Sequence, residues 1–397
     1  MIRILYVHHG KGIGGAPLSL LYLIRGLDRK KFEPTVLCLH ESEAADLYRN
    51  EGIETIVRED MADFSHTNVL WYPWWQFPKT VLRFIQYLRT KELAAVFFRQ
   101  RRFDLVHLNT STLIAFGKAA HEAGMKVAWH IREPVAKGYF GIRRNWIRKM
   151  VDRYADAIFP ICKYDASQLI ASERIEVVYN FVDFEQFDAS LSAPEVRNEL
   201  GLSDDQPIVL MLGGSNPIKG THEYIEAAVK VADKVPEAVF LIAGSVPERS
   251  LRTAVSGSYR YFRRCLEAIP ERMRERIRFI GVRQDIPKLL SETAILVFPS
   301  TVAHFARPVI EASAMGVPAV ASDIGGPKEL ILHGKTGYLV PPADSEALAE
   351  SIRRLLETPE LRTEMGKNGI EFARQNFDSG KNTEQVIQAY FRLLEAA

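Results

Sequence analysis

Thirteen short apolar runs, separated by stretches of helical periodicity, restrict this chain of 397 residues more than any other feature. In the first half they read IRILYVH, PTVLCLH, IETIV, DLVHL, KVAWH, DAIFPI and IEVVY. In the second they read PIVLMLG, AVFLIAG, IRFIG, AILVFP, PAVAS and GYLV. They are rich in β-branched or aromatic residues and lack polar alternation, as strands covered on both faces must. Strands that alternate with helices imply a doubly wound parallel sheet.

The chain is too long for one compact core, so two domains are expected. Between the two sets of runs lies NFVDFEQFDASLSAPEVRNELGLSDDQ, polar and turn-rich, and the linker is placed at 183–206. Residues 1–185 are expected to form an N-terminal Rossmann-like domain joined by a C-terminal helix over 380–397. Residues 186–379 form the second. The last helix carries Val386, Ala389, Tyr390 and Leu393 on one stripe. Ligands of open α/β sheets sit beyond the carboxyl ends of the strands. The expected class is therefore α/β, with two Rossmann-like domains facing each other across a ligand-holding cleft.

Composition excludes several classes. With a formal net charge of +2, nothing global points to nucleic acid. Residues 1–185 carry 26 Lys and Arg against 21 Asp and Glu, so the first half is the better face for an anionic surface. Cys38, Cys162 and Cys265 stand alone, which argues against a zinc knuckle or redox pair and fits a reducing compartment. The sequence enters its first strand at once with no signal-peptide pattern, and has no run of 18 apolar residues. A cytoplasmic protein is expected. No Asp-x-Asp occurs, so no dedicated divalent metal site is expected, and no cofactor.

Three loops draw attention. After the first run, Gly10, Gly12 and Gly15 fit G-x-G-x-x-G, with Glu41 after the second run. The pattern admits a dinucleotide site, a phosphate or sugar contact, or a plain permissive turn. LGGSNPIKG follows a strand and enters a helix. Lys219 at that helix mouth complements backbone amides that cradle phosphate, or is a solvated turn lysine. In PSTVAHFARPVIEASAMGVP, residues 299–318, Pro308 pre-sets a first helical turn. Amides near Phe305, Ala306 and Arg307 can point at an anion, and Glu311 falls about one turn inside the helix. Glu311 either complements the helix dipole or accepts two sugar hydroxyls.

These motifs, in this order, resemble the retaining nucleotide-sugar glycosyltransferases with two Rossmann-like domains, the group 1 and family 4-like enzymes of GT-B architecture. The resemblance runs through GIGGA, DLVHLNTS, AWHIREP, VVYNFVD, LGGSNPIKG, FIGVRQDIPKLL and VPAVASDIGGPKELILHGKTGYLVPPAD. It implies transfer of a sugar from a nucleoside diphosphate to a hydroxyl acceptor with retention, without a metal. It implies His130 and Lys219 as catalytic groups. It implies donor contacts at Gly14, Gly15, Gly214, Lys219, Val282, Ala303, His304, Phe305, Ala306, Arg307 and Glu311. Acceptor contacts would fall at Asn109, Ser111 and Arg132. Two positions depart from the family pattern: Ala303 stands where the first glutamate of Glu-x7-Glu belongs, and Gly214 where a phosphate-binding arginine belongs. Three readings therefore stay open: an active transferase on a glycan or lipid-linked acceptor, a nucleotide-sugar-binding homologue or partner subunit of impaired activity, and an epimerase or hydrolytic enzyme on the same scaffold.

A membrane-surface partner is also expected. GIRRNWIRKMVDRY puts Ile142, Trp146, Met150 and Tyr154 on one stripe flanked by Arg143, Arg144, Arg148, Lys149 and Arg153, and WYPWWQFPKTVLRFIQYL adds a dense aromatic cluster. The alternative is that the stripe packs on the domain's own core.

Overall fold

A computed structural model describes residues 1–64, 77–248 and 256–395. The chain divides into two compact units, Met1–Phe181 with Ser379–Ala397, and Val182–Asp378. Unit 1 holds a six-stranded sheet of β1 (Ile2–His8), β2 (Phe32–Cys38), β3 (Glu54–Val57), β4 (Leu105–Leu108), β5 (Lys126–Ile131) and β6 (Ala157–Pro160). Unit 2 holds β7 (Ile208–Leu212), β8 (Val239–Ala243), β9 (Ile277–Gly281), β10 (Thr293–Phe298), β11 (Ala319–Ser322) and β12 (Gly337–Val340). All pairings in both sheets are parallel.

The orders are β3-β2-β1-β4-β5-β6 and β12-β11-β10-β7-β8-β9. Each is the doubly wound order of a Rossmann fold, and each reverses direction between two adjacent strands. Those pairs are β1 with β4, in register from Ile4 with Leu105, and β7 with β10. The loops leaving them are the ones the sequence singled out.

Unbroken apolar runs follow from burial on both faces. In β1, Leu5 and Val7 pack into one core with Trp129 and Phe116, while Ile4 and Tyr6 pack into another with Phe32 and Tyr48. Helix Ser379–Glu395 returns to unit 1, burying Val386, Ala389 and Tyr390, with Leu393 partly buried against the same core.

Three expectations about organisation are corrected. IEVVY is not a strand. Ile175 forms one isolated bridge to Ile158, and the amides of Glu176 and Val178 donate to the carbonyls of Ile158 and Pro160 at 3.0 Å each. The segment lies along the outer edge of β6 with residues 175–177 half exposed, so it gains bonds without becoming a buried ladder. The stretch 183–206 is no free linker. It contains helix Pro194–Leu200, buries Phe187, Ala193 and Val196, and belongs to unit 2. The stripe on helix Ile142–Tyr154 mostly faces inward: Tyr154 is buried, and Trp146 and Met150 pack against the core, with the Trp146 ring 4.5 Å from that of Phe64. Ile142 alone of the four is exposed, at 62%. The aromatic cluster at 71–77 lies outside the described residues or, for Phe77, outside the described side chains.

Arg197 fixes the 183–206 stretch to unit 2. Its Nε donates to Glu292 Oε2 at 2.7 Å, and its terminal nitrogens reach the carbonyls of Ser203, Gln206 and Glu292. Glu292 also accepts from the Ala193 amide. Both side chains are shielded, at 13% and 11% exposure. Removing one partner leaves a shielded charge alone, at a cost of about 3 kcal/mol. Arg197→Ala is therefore expected to lower the urea midpoint of unit 2, and Arg197→Lys, which cannot serve all the acceptors at once, to fall between. An unchanged midpoint in both variants refutes the anchor.

Candidate functional site

The loop leaving β7 turns immediately. Gly214 adopts φ +61°, and a Cβ there would sit 2.2 Å from the Ser245 carbonyl oxygen and 2.7 Å from its nitrogen. An arginine cannot occupy this backbone without displacing Ser245, so Gly214 is a site of close approach between two loops. Asn216 then caps a short turn, Pro217–Lys219, by accepting from the Ile218 amide at 3.0 Å. Gly220 follows at φ +75°, where a Cβ would stand 1.9 Å from the Pro299 carbonyl oxygen. The Lys219 loop therefore lies directly on the loop leaving β10. Thr301 strengthens the seam, its amide donating to the Ile218 carbonyl at 3.0 Å and its hydroxyl to the Pro217 carbonyl at 2.8 Å.

That seam brings two predicted residues together. Lys219 Nζ lies 2.7 Å from His304 Nε2 and 4.9 Å from the Phe298 ring centroid. Burial, and then the charge of Lys219, push the His304 imidazole down to about 4, so the ring is neutral at pH 7. Its Nδ1 is 2.8 Å from the Val302 carbonyl, to which it can only donate. Nε2 is then the bare nitrogen and accepts from the Lys219 ammonium. Burial lowers Lys219 to about 8, poised near neutrality. Ala303, next to His304 in the chain, is buried and has no polar side-chain atom.

Helix Arg307–Ala314 begins where the sequence suggests, with Ala306 as its N-cap and Pro308 in its first turn. Glu311 sits one turn in and is buried. Burial raises its carboxyl above the usual range, and Arg307, whose guanidinium is 3.8 Å away, opposes the shift. Phe305 lies on the helix approach, where Gly326 packs so closely that a Cβ would meet the Phe305 Cα at 2.8 Å. Val282, 64% exposed, follows β9 at the sheet edge, with β8 and β7 between it and β10.

In unit 1 the carboxyl ends of β1, β4 and β5 converge. Asn109 Nδ2 lies 3.1 Å from His8 Nδ1 and 3.3 Å from the Ala16 carbonyl, and Asn109 Oδ1 accepts from Arg132 Nε. Arg132 also donates to Asn180 Oδ1 at 2.9 Å. Ser111 gives both its amide, at 3.0 Å, and its hydroxyl to Glu133 Oε1, and Thr110 donates to the same oxygen at 2.6 Å. Asn109, Ser111 and Arg132 are thus gathered at one end of the sheet. Three hydrogen bonds converge on one oxygen of Glu133. His130 is buried, its Nδ1 2.9 Å from His107 Nε2.

Gly14 caps helix Gly15–Arg25, and a Cβ at Gly12 or Gly14 would meet open space. Glu41 is exposed and paired with Arg49, which also holds its carboxyl below the usual range. The partner that a dinucleotide fingerprint requires is therefore engaged elsewhere. Glu133, His107 and Asn180 were not singled out from the sequence. Only Glu133 left a signal there, as a charge beside Arg132 at the end of an apolar run.

Residues 13–186 match the family described as Glycosyltransferase Family 4, and residues 192–372 match Glycosyl transferases group 1. Among curated proteins, N-acetyl-alpha-D-glucosaminyl L-malate synthase of Bacillus anthracis is 27% identical over 56% of this chain and 55% of its own. Alpha-D-kanosaminyltransferase of Streptomyces kanamyceticus is 28% identical over 66% of this chain and 64% of its own. The chain thus spans somewhat more than half the length of these two relatives. Among solved structures, Anabaena HepE in complex with UDP-glucose superposes with a TM-score of 0.79 at 21% identity, covering 99% of this chain and 100% of that one. That likeness speaks for the fold. With one family matched in each unit and twin Rossmann-like sheets in the GT-B manner, the chain belongs to the group 1 and family 4 glycosyltransferases.

Proposed function

We propose that this protein is a retaining, metal-independent glycosyltransferase that moves a sugar from a nucleoside diphosphate to a hydroxyl acceptor on a glycan or lipid-linked precursor. The observation that carries the reading is the pairing of Lys219 with neutral His304 at the mouth of helix Arg307–Ala314, one turn from buried Glu311. Lys219 and the amides at the helix start suit a diphosphate. Glu311 suits the hydroxyls of a ribose. Departure of the diphosphate concentrates negative charge where Lys219 stands, and fixed charge aimed there lowers the barrier. The acceptor hydroxyl attacks the face the diphosphate leaves, giving retention, and the departing phosphate takes its proton. Ala303 offers no carboxylate for a covalent glycosyl intermediate. On this reading the acceptor meets unit 1, where the second oxygen of Glu133 can accept from a hydroxyl.

Relatives support the substrate class. Anabaena HepE was solved with UDP, with UDP and glucose, and with UDP-glucose. The Escherichia coli relative named as a UDP-Gal:alpha-D-GlcNAc-diphosphoundecaprenol galactosyltransferase uses a nucleotide sugar and a lipid-linked acceptor. Turnover assays with a panel of UDP- and GDP-sugars, with anomeric configuration read by NMR, test the proposal. An inverted product or simple epimerisation overturns it. Nucleotide binding without turnover on any donor supports the impaired homologue instead.

We also propose peripheral contact with an anionic membrane surface through unit 1, and three features support it. Residues 64–91 and 134–151 contain no Asp or Glu and nine Lys or Arg. Val81, Leu82, Phe84, Ile85 and Leu88 of helix Phe77–Gln100 are 46–59% exposed. Phe64, Val81, Phe84, Ile142 and Trp146 line an apolar groove of 410 Å³. Among the described residues no helix is long and apolar enough to cross a membrane, so contact would be peripheral.

Two predictions follow from these arrangements. Lys219, lowered to about 8, is charged below that pH and neutral above it, and only the charged form holds a diphosphate well. UDP affinity is therefore expected to be full below about pH 7 and to fall by up to about tenfold per unit above pH 8. Lys219→Ala should weaken UDP by roughly tenfold or more, leave uridine unchanged and flatten the pH profile. Calorimetry between pH 6 and 9.5 reads all three, and a wild-type profile that stays flat refutes the phosphate role. For the membrane, flotation with anionic vesicles at low salt should carry the protein upward, and Leu82→Asp with Ile85→Asp should abolish it. Protein that stays at the bottom in low salt ends this part of the proposal.

A further inference from the structure

Four side chains of unit 1 form a line that ends at His130. The Tyr390 hydroxyl, on helix Ser379–Glu395, lies 2.6 Å from His107 Nδ1. His107 Nε2 lies 2.9 Å from His130 Nδ1. The Tyr6 hydroxyl, on β1, stands 3.4 Å from that of Tyr390. Tyr6, His107 and Tyr390 are wholly buried and His130 is 3% exposed. Burial first, then the positive charge of Arg132, hold both imidazoles well below their usual range. Burial likewise raises both phenols. All four groups are therefore neutral at pH 7, and each imidazole carries one N–H.

The line can then run in only two directions. In one, Tyr390 donates to His107 Nδ1, His107 Nε2–H donates to His130 Nδ1, and the His130 proton sits on Nε2. In the other every bond reverses, Tyr390 spends its proton on Tyr6, and His130 Nε2 is bare. The distances choose. Tyr390 has one proton and two possible acceptors, His107 Nδ1 at 2.6 Å and the Tyr6 hydroxyl at 3.4 Å, and the shorter contact takes it. The reversed line would commit the only proton of Tyr390 to a contact of 3.4 Å. A phenol is also the stronger acid, hence the better donor, of the two neutral groups. Turning the His107 ring over would put carbon atoms at both contacts. Phe159, nearly parallel at 16° and 6.2 Å, stacks on that ring.

We propose that Tyr390 and His107 are positioning residues that fix His130 as its Nε2–H tautomer, so that His130 serves as a hydrogen-bond donor and not as a proton acceptor. Among the described residues the one side-chain hydrogen bond of His130 runs through Nδ1 to His107, which leaves the Nε2–H for a ligand oxygen. Tyr390 lies 283 positions after His107, so the return of the C-terminal helix to unit 1 sets a proton position on β5. Resting on the proposed function, the tautomer has a chemical consequence: His130 orients an oxygen of the transferred sugar and cannot remove the acceptor's proton, which is left to the departing phosphate.

Two-bond proton–nitrogen NMR of the full chain labelled with 15N-histidine separates the two tautomers directly. His107→Gln and His130→Gln identify the signals. The expected wild-type result is Nε2–H at both positions. Tyr390→Phe removes the donor and should move His130 to a mixture or to Nδ1–H, while Tyr6→Phe should leave it unchanged. Where transfer is measurable, Tyr390→Phe should lower kcat by roughly tenfold while the Kd for UDP stays within about twofold. Nδ1–H at His130 in the wild type overturns the proposal, as does a Tyr390→Phe spectrum identical to the wild type. Should Tyr390→Phe fail to fold, the wild-type spectrum still decides between the two directions. An Nε2–H spectrum in a protein that transfers no sugar supports the relay and counts against the transferase reading.

Discussion

The reversal of winding in each sheet is the constraint on which the remaining features depend. Where β1 meets β4, and where β7 meets β10, the following helices leave on opposite faces. The loops therefore separate at their base and leave backbone amides and side chains uncovered at the carboxyl ends. In unit 2 this opening is narrowed from within. Gly214 and Gly220 let their loop approach Ser245 and Pro299 to distances that no Cβ tolerates. The result places Lys219 against His304 with little freedom, and freedom lost in folding need not be lost again on binding.

Charge is handled differently in the two units. At the loops leaving β7 and β10, unit 2 sets a shielded cation, Lys219, beside a neutral imidazole, and a shielded carboxyl, Glu311, beside Arg307. Ala303 removes a further anion from this neighbourhood. An imidazole accepts one hydrogen bond from Lys219 and, being neutral, exerts no net charge on it. Lys219 therefore has a neutral hydrogen-bond partner and no counter-ion at this contact. Unit 1 gathers its polar groups into hydrogen-bonded lines: Arg132 through Asn109 to His8, and Tyr390 through His107 to His130. Such lines fix orientation at little electrostatic cost, because most members are neutral.

What the sequence disclosed is what local chemistry dictates. Twelve of the thirteen apolar runs are strands because burial on both faces leaves no other use for unbroken Val, Ile and aromatic residues. The positions of Glu311 and Lys219 were legible because each follows a strand at a helix mouth. IEVVY shares that composition but lies along an edge, and edge position is a property of the whole sheet. The stretch 183–206 reads as linker because its anchor, Arg197 to Glu292, joins residues 95 apart. The helix at 142–154 shows a stripe in either environment, and the packing of Phe64, Phe84 and Tyr87 on Trp146 turns it inward. Gly214 was read as a missing arginine, and the close approach of Ser245 cannot be seen from either loop alone.

His107 makes the same point for chemistry. In DLVHL it is one polar residue inside an apolar run, and a buried histidine satisfied by its neighbours is the natural reading of such a position. That reading holds as far as it goes, since both ring nitrogens are engaged. Its consequence comes from the partners: a phenol from the last helix on one side and the strand-end His130 on the other. Because an imidazole passes on a proton arrangement as well as filling space, satisfying one buried histidine determines what the next can present to a ligand. A core contact and a binding contact are then two ends of the same chain, and the helix that completes the core of unit 1 also sets the polarity of the end at His130.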